Sequence, residues 1–173
     1  RPMSPYGAAK AAGELYLFTY TAAYGLSYVA LRYGNVYGPR QDPLGEAGVV
    51  AIFTQKLLWG QEPIINGDGR QTRDYVFVED VARANVLALH SEVSGPFNIG
   101  TGTEKNVNEL FQHLARLTGT SPREVHGPAK AGERRRSVLD FGKAREQLGW
   151  QPRVSFEEGL GKTVEFFRSR SRH

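Results

Sequence analysis

Cysteine is missing from all 173 residues. Disulfides and thiolate metal sites are therefore excluded, and a reducing cytoplasm is permitted. Long hydrophobic runs are missing as well. No apolar stretch approaches the roughly 20 residues that span a bilayer, and the first residues do not read as a secretory leader. Four histidines, His90, His113, His126 and His173, show no metal-ligand spacing. All four read as structural or surface residues, and no metal is expected. Internal repeats and low-complexity segments are absent too.

What is present is an ordinary globular composition, 40% hydrophobic and 23% charged. The length suits one domain and not two full ones. The net charge is +4, so an anionic partner is worth weighing. Two basic clusters carry much of it, Arg134-Arg135-Arg136 and the run from Arg168 to His173. The terminal run reads as a solvated helix end. Nucleic acid is not the expected partner, because aromatics are not interleaved with a basic stripe. The first residue is Arg1, with a helix start only a few positions later, as in a piece cut from a longer chain.

The local grammar is α/β. Ser4-Pro5 opens a helix, Ser as N-cap and Pro at the first helical position. That helix runs to about Tyr24, and Gly25 is its left-handed stop. Residues 26–33 read as a strand buried on both faces, and 34–39 as the loop leaving it. A second helix covers Gly48 to Trp59. Pro63 to Ile65 is a short strand, Asn66-Gly67-Asp68-Gly69 a turn, and Thr72 to Val78 a β-rich run. A helix follows from about Glu79 to Leu89, then a short strand at 97–99. Asn106 and Glu109 have capping-box spacing. Asp140 and Ser155 read as the N-caps of the last two helices.

Tyr6 and Lys10 lie four residues apart on the first helix and so share a face. The spacing has a chemical use. An ordinary phenol titrates near pH 10 and is a poor base at neutrality. An ammonium one turn away stabilises the phenolate, and the positive end of the helix dipole adds to it. Taken alone, the pair reads more readily as a lysine stem packed beside a buried tyrosine ring.

The surrounding string settles the context. Ser4-Pro5-Tyr6-Gly7-Ala8-Ala9-Lys10-Ala11-Ala12 resembles the active-site helix of the extended short-chain dehydrogenase/reductase family. Leu31 through Gln41 resembles that family's next strand and loop. Gly67-Asp68-Gly69 with Thr72-Arg73-Asp74-Tyr75-Val76 resembles its nucleotide-binding turn. Phe97 to Gly102, and Asp140 through Leu148-Gly149-Trp150, are family-like in the same order. Gly45-Glu46-Ala47-Gly48-Val49-Val50-Ala51-Ile52-Phe53 points, within the NAD-dependent epimerases and dehydratases, towards UDP-glucose 4-epimerases.

The resemblance implies the C-terminal portion of an extended Rossmann-type fold, its last parallel strands followed by a small α/β substrate-binding domain. Residues 1–45 would end the NAD-binding domain, and 46–173 would mainly bind the nucleotide sugar. Tyr6 would take a proton from a sugar hydroxyl while hydride passes to NAD. Lys10 would assist Tyr6 and hydrogen-bond the nicotinamide ribose. The 4-keto sugar would turn over and receive the hydride on its other face, so that NAD is regenerated in each cycle. Tyr33 and Val36 would border the nicotinamide, and Asn35 would contact the substrate; outside the motif, Asn35 is simply a turn-former.

Gly48 and Val49 open a helix, where free N–H groups favour anions. Family members hold the nucleotide sugar with this segment, although a glycine at any loop-to-helix junction looks the same. Arg73 matches the family arginine that grips the pyrophosphate. A second cation normally comes from an Arg-x-Gly-Asp segment, and here that segment is Lys130-Ala131-Gly132-Glu133. Lys130 keeps the charge and loses the fork; Glu133 replaces the aspartate on the uridine ribose. Arg134, Arg135 or Arg136 is available to compensate.

The Gly-rich phosphate loop of a dinucleotide-binding fold does not occur in these residues. The chain alone is therefore expected to be inactive. The expected partners are a UDP-sugar or related nucleotide sugar and a second copy in a homodimer, with no nucleic acid and no membrane. Two other readings are a nucleotide-sugar dehydratase or decarboxylase of the same family, and a non-catalytic nucleotide-sugar-binding module.

Overall fold

The structure is a computed structural model and describes residues 4–44, 48–130, 132 and 134–170. Local capping chemistry sets its helix ends. Ser4 Oγ accepts from the Gly7 N–H at 3.1 Å and opens α1, Pro5–Tyr24, which Gly25 closes in the left-handed region. Strands β1 (Val29–Tyr33) and β2 (Asn35–Tyr37) follow, then α2 (Val49–Leu58) and β3 (Ile64–Asn66). Next come β4 (Thr72–Arg73), β5 (Tyr75–Phe77), α3 (Val78–Leu89), β6 (Gly95–Ile99) and β7 (Lys105–Asn106). The remaining elements are α4 (Val107–Thr118), β8 (Val125–Gly127), α5 (Gly142–Leu148) and α6 (Phe156–Arg170). The capping box on α4 is formed in both directions: Glu109 N–H to Asn106 Oδ1 at 2.8 Å, and Asn106 N–H to Glu109 Oε2 at 3.0 Å.

Among the described residues, three of the four strand pairings are parallel: β1 with β6, β2 with β5, and β3 with β8. The fourth, β4 with β7, is antiparallel. One core gathers α2, α4 and α6 over Tyr37, Tyr75 and Phe77. The other lies between β6, α3 and α5 and is centred on Trp150, whose Nε1 donates to the Asp80 carbonyl at 2.8 Å. The Asp80 carboxylate, itself buried, accepts from the Arg153 and Val154 N–H groups and pairs with Arg83. A buried carboxylate with this many donors costs little and pins the segment after Trp150 to α3.

Four local expectations are revised. Asn35 to Tyr37 is strand rather than loop, because Tyr75 to Phe77 offers it a parallel partner. Strand β1 is not buried on both faces: Arg32 and Tyr33 are exposed, since its only strand neighbour among the described residues is β6. The N-cap of α5 is Phe141; Asp140, one residue earlier, accepts from the Gly142 N–H at 2.8 Å. Strand β8 was not anticipated at all; its three residues lie between irregular segments and pair with β3. Ser155 does cap α6, accepting from the Glu158 N–H at 3.2 Å.

Candidate functional site

An arginine-rich cleft of about 900 Å³ lies where the start of α1, the start of β2 and β4 meet. Ser4, Asn35, Arg73, Arg134, Arg136 and Ser137 are among the residues lining it. Such a volume suits a nucleotide-sized ligand. Asn35 reaches the cleft because its N–H is fixed to the Asp74 carbonyl at 2.6 Å, leaving its side chain exposed. Gly34 precedes it for a steric reason: a Cβ there would lie 2.7 Å from the same carbonyl oxygen.

Arg73 is half-buried, and its Nη1 donates to the Thr72 carbonyl at 2.7 Å and the Arg134 carbonyl at 2.8 Å. The Thr72 N–H in turn donates to the Arg135 carbonyl at 2.9 Å. The basic segment is thus laid along β4 by backbone bonds. Arg135 then turns to Asp68 in a two-pronged ion pair at 2.7 and 2.8 Å. That guanidinium, with the Arg70 N–H, holds the Asp68 carboxyl far below the usual carboxylate range. Arg136 pairs with Glu104.

Asp74 lies within the family-like string Thr72 to Val76, but the sequence assigned it no role. Its carboxylate is 1% exposed and accepts from Thr101, Gly102 and Leu139. It ties the segment after the triple arginine to the strand carrying Arg73. Beyond its place in that string, its signal was a lone acid ahead of the apolar run Tyr75 to Val78.

Tyr6 stands in the first turn of α1 and is 72% exposed. The Lys10 Nζ lies 5.3 Å from the centre of its ring. The two side chains are therefore together and open to a ligand, although neither lines the cleft. Tyr33 Oη donates to Asn85 Oδ1 at 3.0 Å, which turns it towards α3. Val36 packs beside the core around Trp150. Gly48 is the N-cap of α2, with Val49 its first residue. Lys130 is exposed and lines an adjoining cavity of about 250 Å³ with Asn66, Asp68 and Gln71, which shares Arg134 and Arg135 with the cleft. Glu133 and the Gly45-Glu46-Ala47 part of the epimerase-like segment lie outside the described residues.

Parallel strands, an N-capped helix presenting Tyr6 and Lys10, and an arginine cleft beside it define an extended short-chain dehydrogenase/reductase. The chain belongs to the family described as GDP-mannose 4,6 dehydratase, whose model matches residues 1–163. It is 52% identical over 171 residues to the UDP-glucose 4-epimerase of Mycolicibacterium smegmatis, covering 98% of this chain and 55% of that protein. The UDP-glucose 4-epimerase of Thermotoga maritima, solved with UDP-glucose, superimposes with a TM-score of 0.97 at 54% identity, over 99% of this chain and 55% of that one. The Thermus thermophilus UDP-glucose 4-epimerase, in complex with NAD, gives 0.92 at 48% identity, over 97% and 55%. The chain thus spans about 55% of the length of these relatives.

Proposed function

We propose that this chain is the substrate-binding portion, with the catalytic tyrosine and lysine, of an NAD-dependent UDP-glucose 4-epimerase. The observation that carries the reading is the exposed Tyr6–Lys10 pair, 5.3 Å from ammonium to ring, on a helix whose capping serine lines the arginine cleft. Residues 1–45 would complete the dinucleotide-binding domain, and 46–173 would mainly form the nucleotide-sugar site.

Tyr6 is the base: its phenolate takes the proton of the sugar 4-hydroxyl and gives it back after the sugar has turned over. Lys10 stabilises the phenolate and reaches for the nicotinamide ribose. Asn35, Arg73 and the start of α2 at Gly48 and Val49 hold the nucleotide sugar, Arg73 on the diphosphate. Lys130 and Glu133 stand at the sequence positions where the family carries its second cation and ribose acid. The residues present suit the nicotinamide end of NAD, because Tyr6 and Lys10 are both exposed at one helix end, with Tyr33 and Val36 following on the adjacent strands. NAD, when bound, supplies the acceptor and donor of hydride.

Assembly as a homodimer through α1 is part of the same reading. That helix buries none of its residues and exposes Leu15, Tyr16, Leu17, Phe18, Tyr20 and Tyr24. A two-fold pairing would cover them. No helix among the described residues is long and apolar enough to cross a membrane, and we place the protein in the cytoplasm.

The test is turnover of UDP-glucose and UDP-galactose by the full-length protein. Tyr6→Phe should reduce it by about 10²–10⁴-fold without loss of fold or NAD binding. A variant keeping half its turnover would overturn the assignment.

A further inference from the structure

We propose that Arg134, and not Lys130, is the second cation that grips the substrate diphosphate beside Arg73. The inference rests on the cleft being a nucleotide-sugar site. A diphosphate bridge carries two negative charges, and enclosing them without matching cations is costly. Arg73 supplies one cation. The motif position for the other holds Lys130, which lines only the neighbouring cavity with Asn66, Asp68 and Gln71, whereas Arg134 lines both that cavity and the cleft.

The triple arginine offers three replacements, and the structure separates them. Arg135 is held in two prongs by Asp68, and Arg136 by Glu104. All three line the cleft, and Arg134 is the one whose side chain no acidic partner holds among the described residues. Its backbone is fixed where the cation is needed: the Arg134 carbonyl accepts from Arg73 Nη1 at 2.8 Å, and the next carbonyl accepts from the Thr72 N–H. Arg73 and Arg134 thus lie on adjacent chain segments at one cleft, Arg134 fixed there through its backbone. Like charges so placed repel, and a bridging anion converts that repulsion into attraction. Each fork matches a phosphate, as an ammonium does not. Because Arg134 is exposed, its contribution is open to screening by salt.

The experiment is calorimetric titration of the full-length protein with UDP and, separately, with uridine, at low and at physiological salt. R134Q should weaken UDP binding about 10- to 100-fold at low salt, the range of a hydrogen bond to a charged group. Uridine affinity should stay unchanged, R134K should recover part of the loss, and added salt should shrink it. K130Q should cost less than about threefold, as exposed charges do. If R73Q abolishes UDP binding while R134Q leaves it intact, the cleft stands and Arg134 falls. A K130Q loss equal to that of R134Q overturns the choice between them. A parent protein that does not bind UDP overturns the substrate reading itself, and this inference with it.

Discussion

Asp74 Oδ1 accepts two hydrogen bonds from Thr101, one from the backbone N–H and one from Oγ1, each at 2.7 Å. Oδ2 of the same carboxylate accepts from the Gly102 and Leu139 N–H groups at 3.1 Å. Three chain segments distant in sequence therefore meet on one buried acid, next to Arg73. Asp74→Asn keeps the shape but turns an amide NH₂ towards N–H donors. It should cost about 2–4 kcal/mol, and urea unfolding measures it. UDP affinity should fall as well, because the 134–139 segment loses its tether. A variant as stable as the parent would show that the carboxylate is not the clasp.

The turn before β4 should be intolerant of a single methyl. Gly69 sits at φ 68°, and a Cβ there would come within 1.7 Å of Asn108 Oδ1. Its carbonyl also receives the Val107 and Asn108 N–H groups at the start of α4. Gly69→Ala should lose about 2–3 kcal/mol, combining the left-handed penalty with the clash. Adding Asn108→Ala should relieve the clash and leave the backbone part of about 1–2 kcal/mol. If the double variant is no better than the single, the steric explanation fails. Thermal melts of all three proteins decide it.

Charge placed on α1 should separate assembly from folding. Phe18 and Tyr20 are exposed and pack into neither core. Phe18→Glu should therefore change the stability of the isolated chain by little, within about 0.5 kcal/mol. In the full-length protein it should shift sedimentation from dimer to monomer. A parent that sediments as a monomer at high micromolar concentration would remove the homodimer from the proposal.

His126 adds a pH-dependent brace to the turn at Gly67. Its Nδ1 lies 2.7 Å from the Gly67 carbonyl and its Nε2 2.7 Å from Glu124. The Glu124 side chain first, and the Gly67 carbonyl second, raise its pKa above the usual 6.5. A raised histidine stabilises fully below its unfolded value near 6.5 and loses that contribution as pH rises through the folded value. Proton NMR should find His126 titrating above an unperturbed histidine, and Glu124→Gln should bring it down. A titration unmoved by Glu124→Gln would remove that carboxylate as the cause.

Much of this protein is written locally. Ser4, Asn106 and Ser155 cap helices because each side chain bonds an N–H within three residues, and Gly25 stops α1 by its own φ. Such bonds depend on adjacent residues, so the sequence alone determined them, as it did the order of motifs that marks the family. Asn35 to Tyr37 became a strand only when residues some 40 positions later arrived beside it. Asp74 and Asp80 became acceptable in a core only when distant N–H groups converged on them. Arg134, Arg135 and Arg136 all line the cleft, and which of them meets Asp68, Glu104 or no acid among the described residues is likewise tertiary. Three identical side chains in a row carry no record of which neighbour each will meet. Long-range contacts choose among locally equivalent residues, and only the folded chain makes that choice.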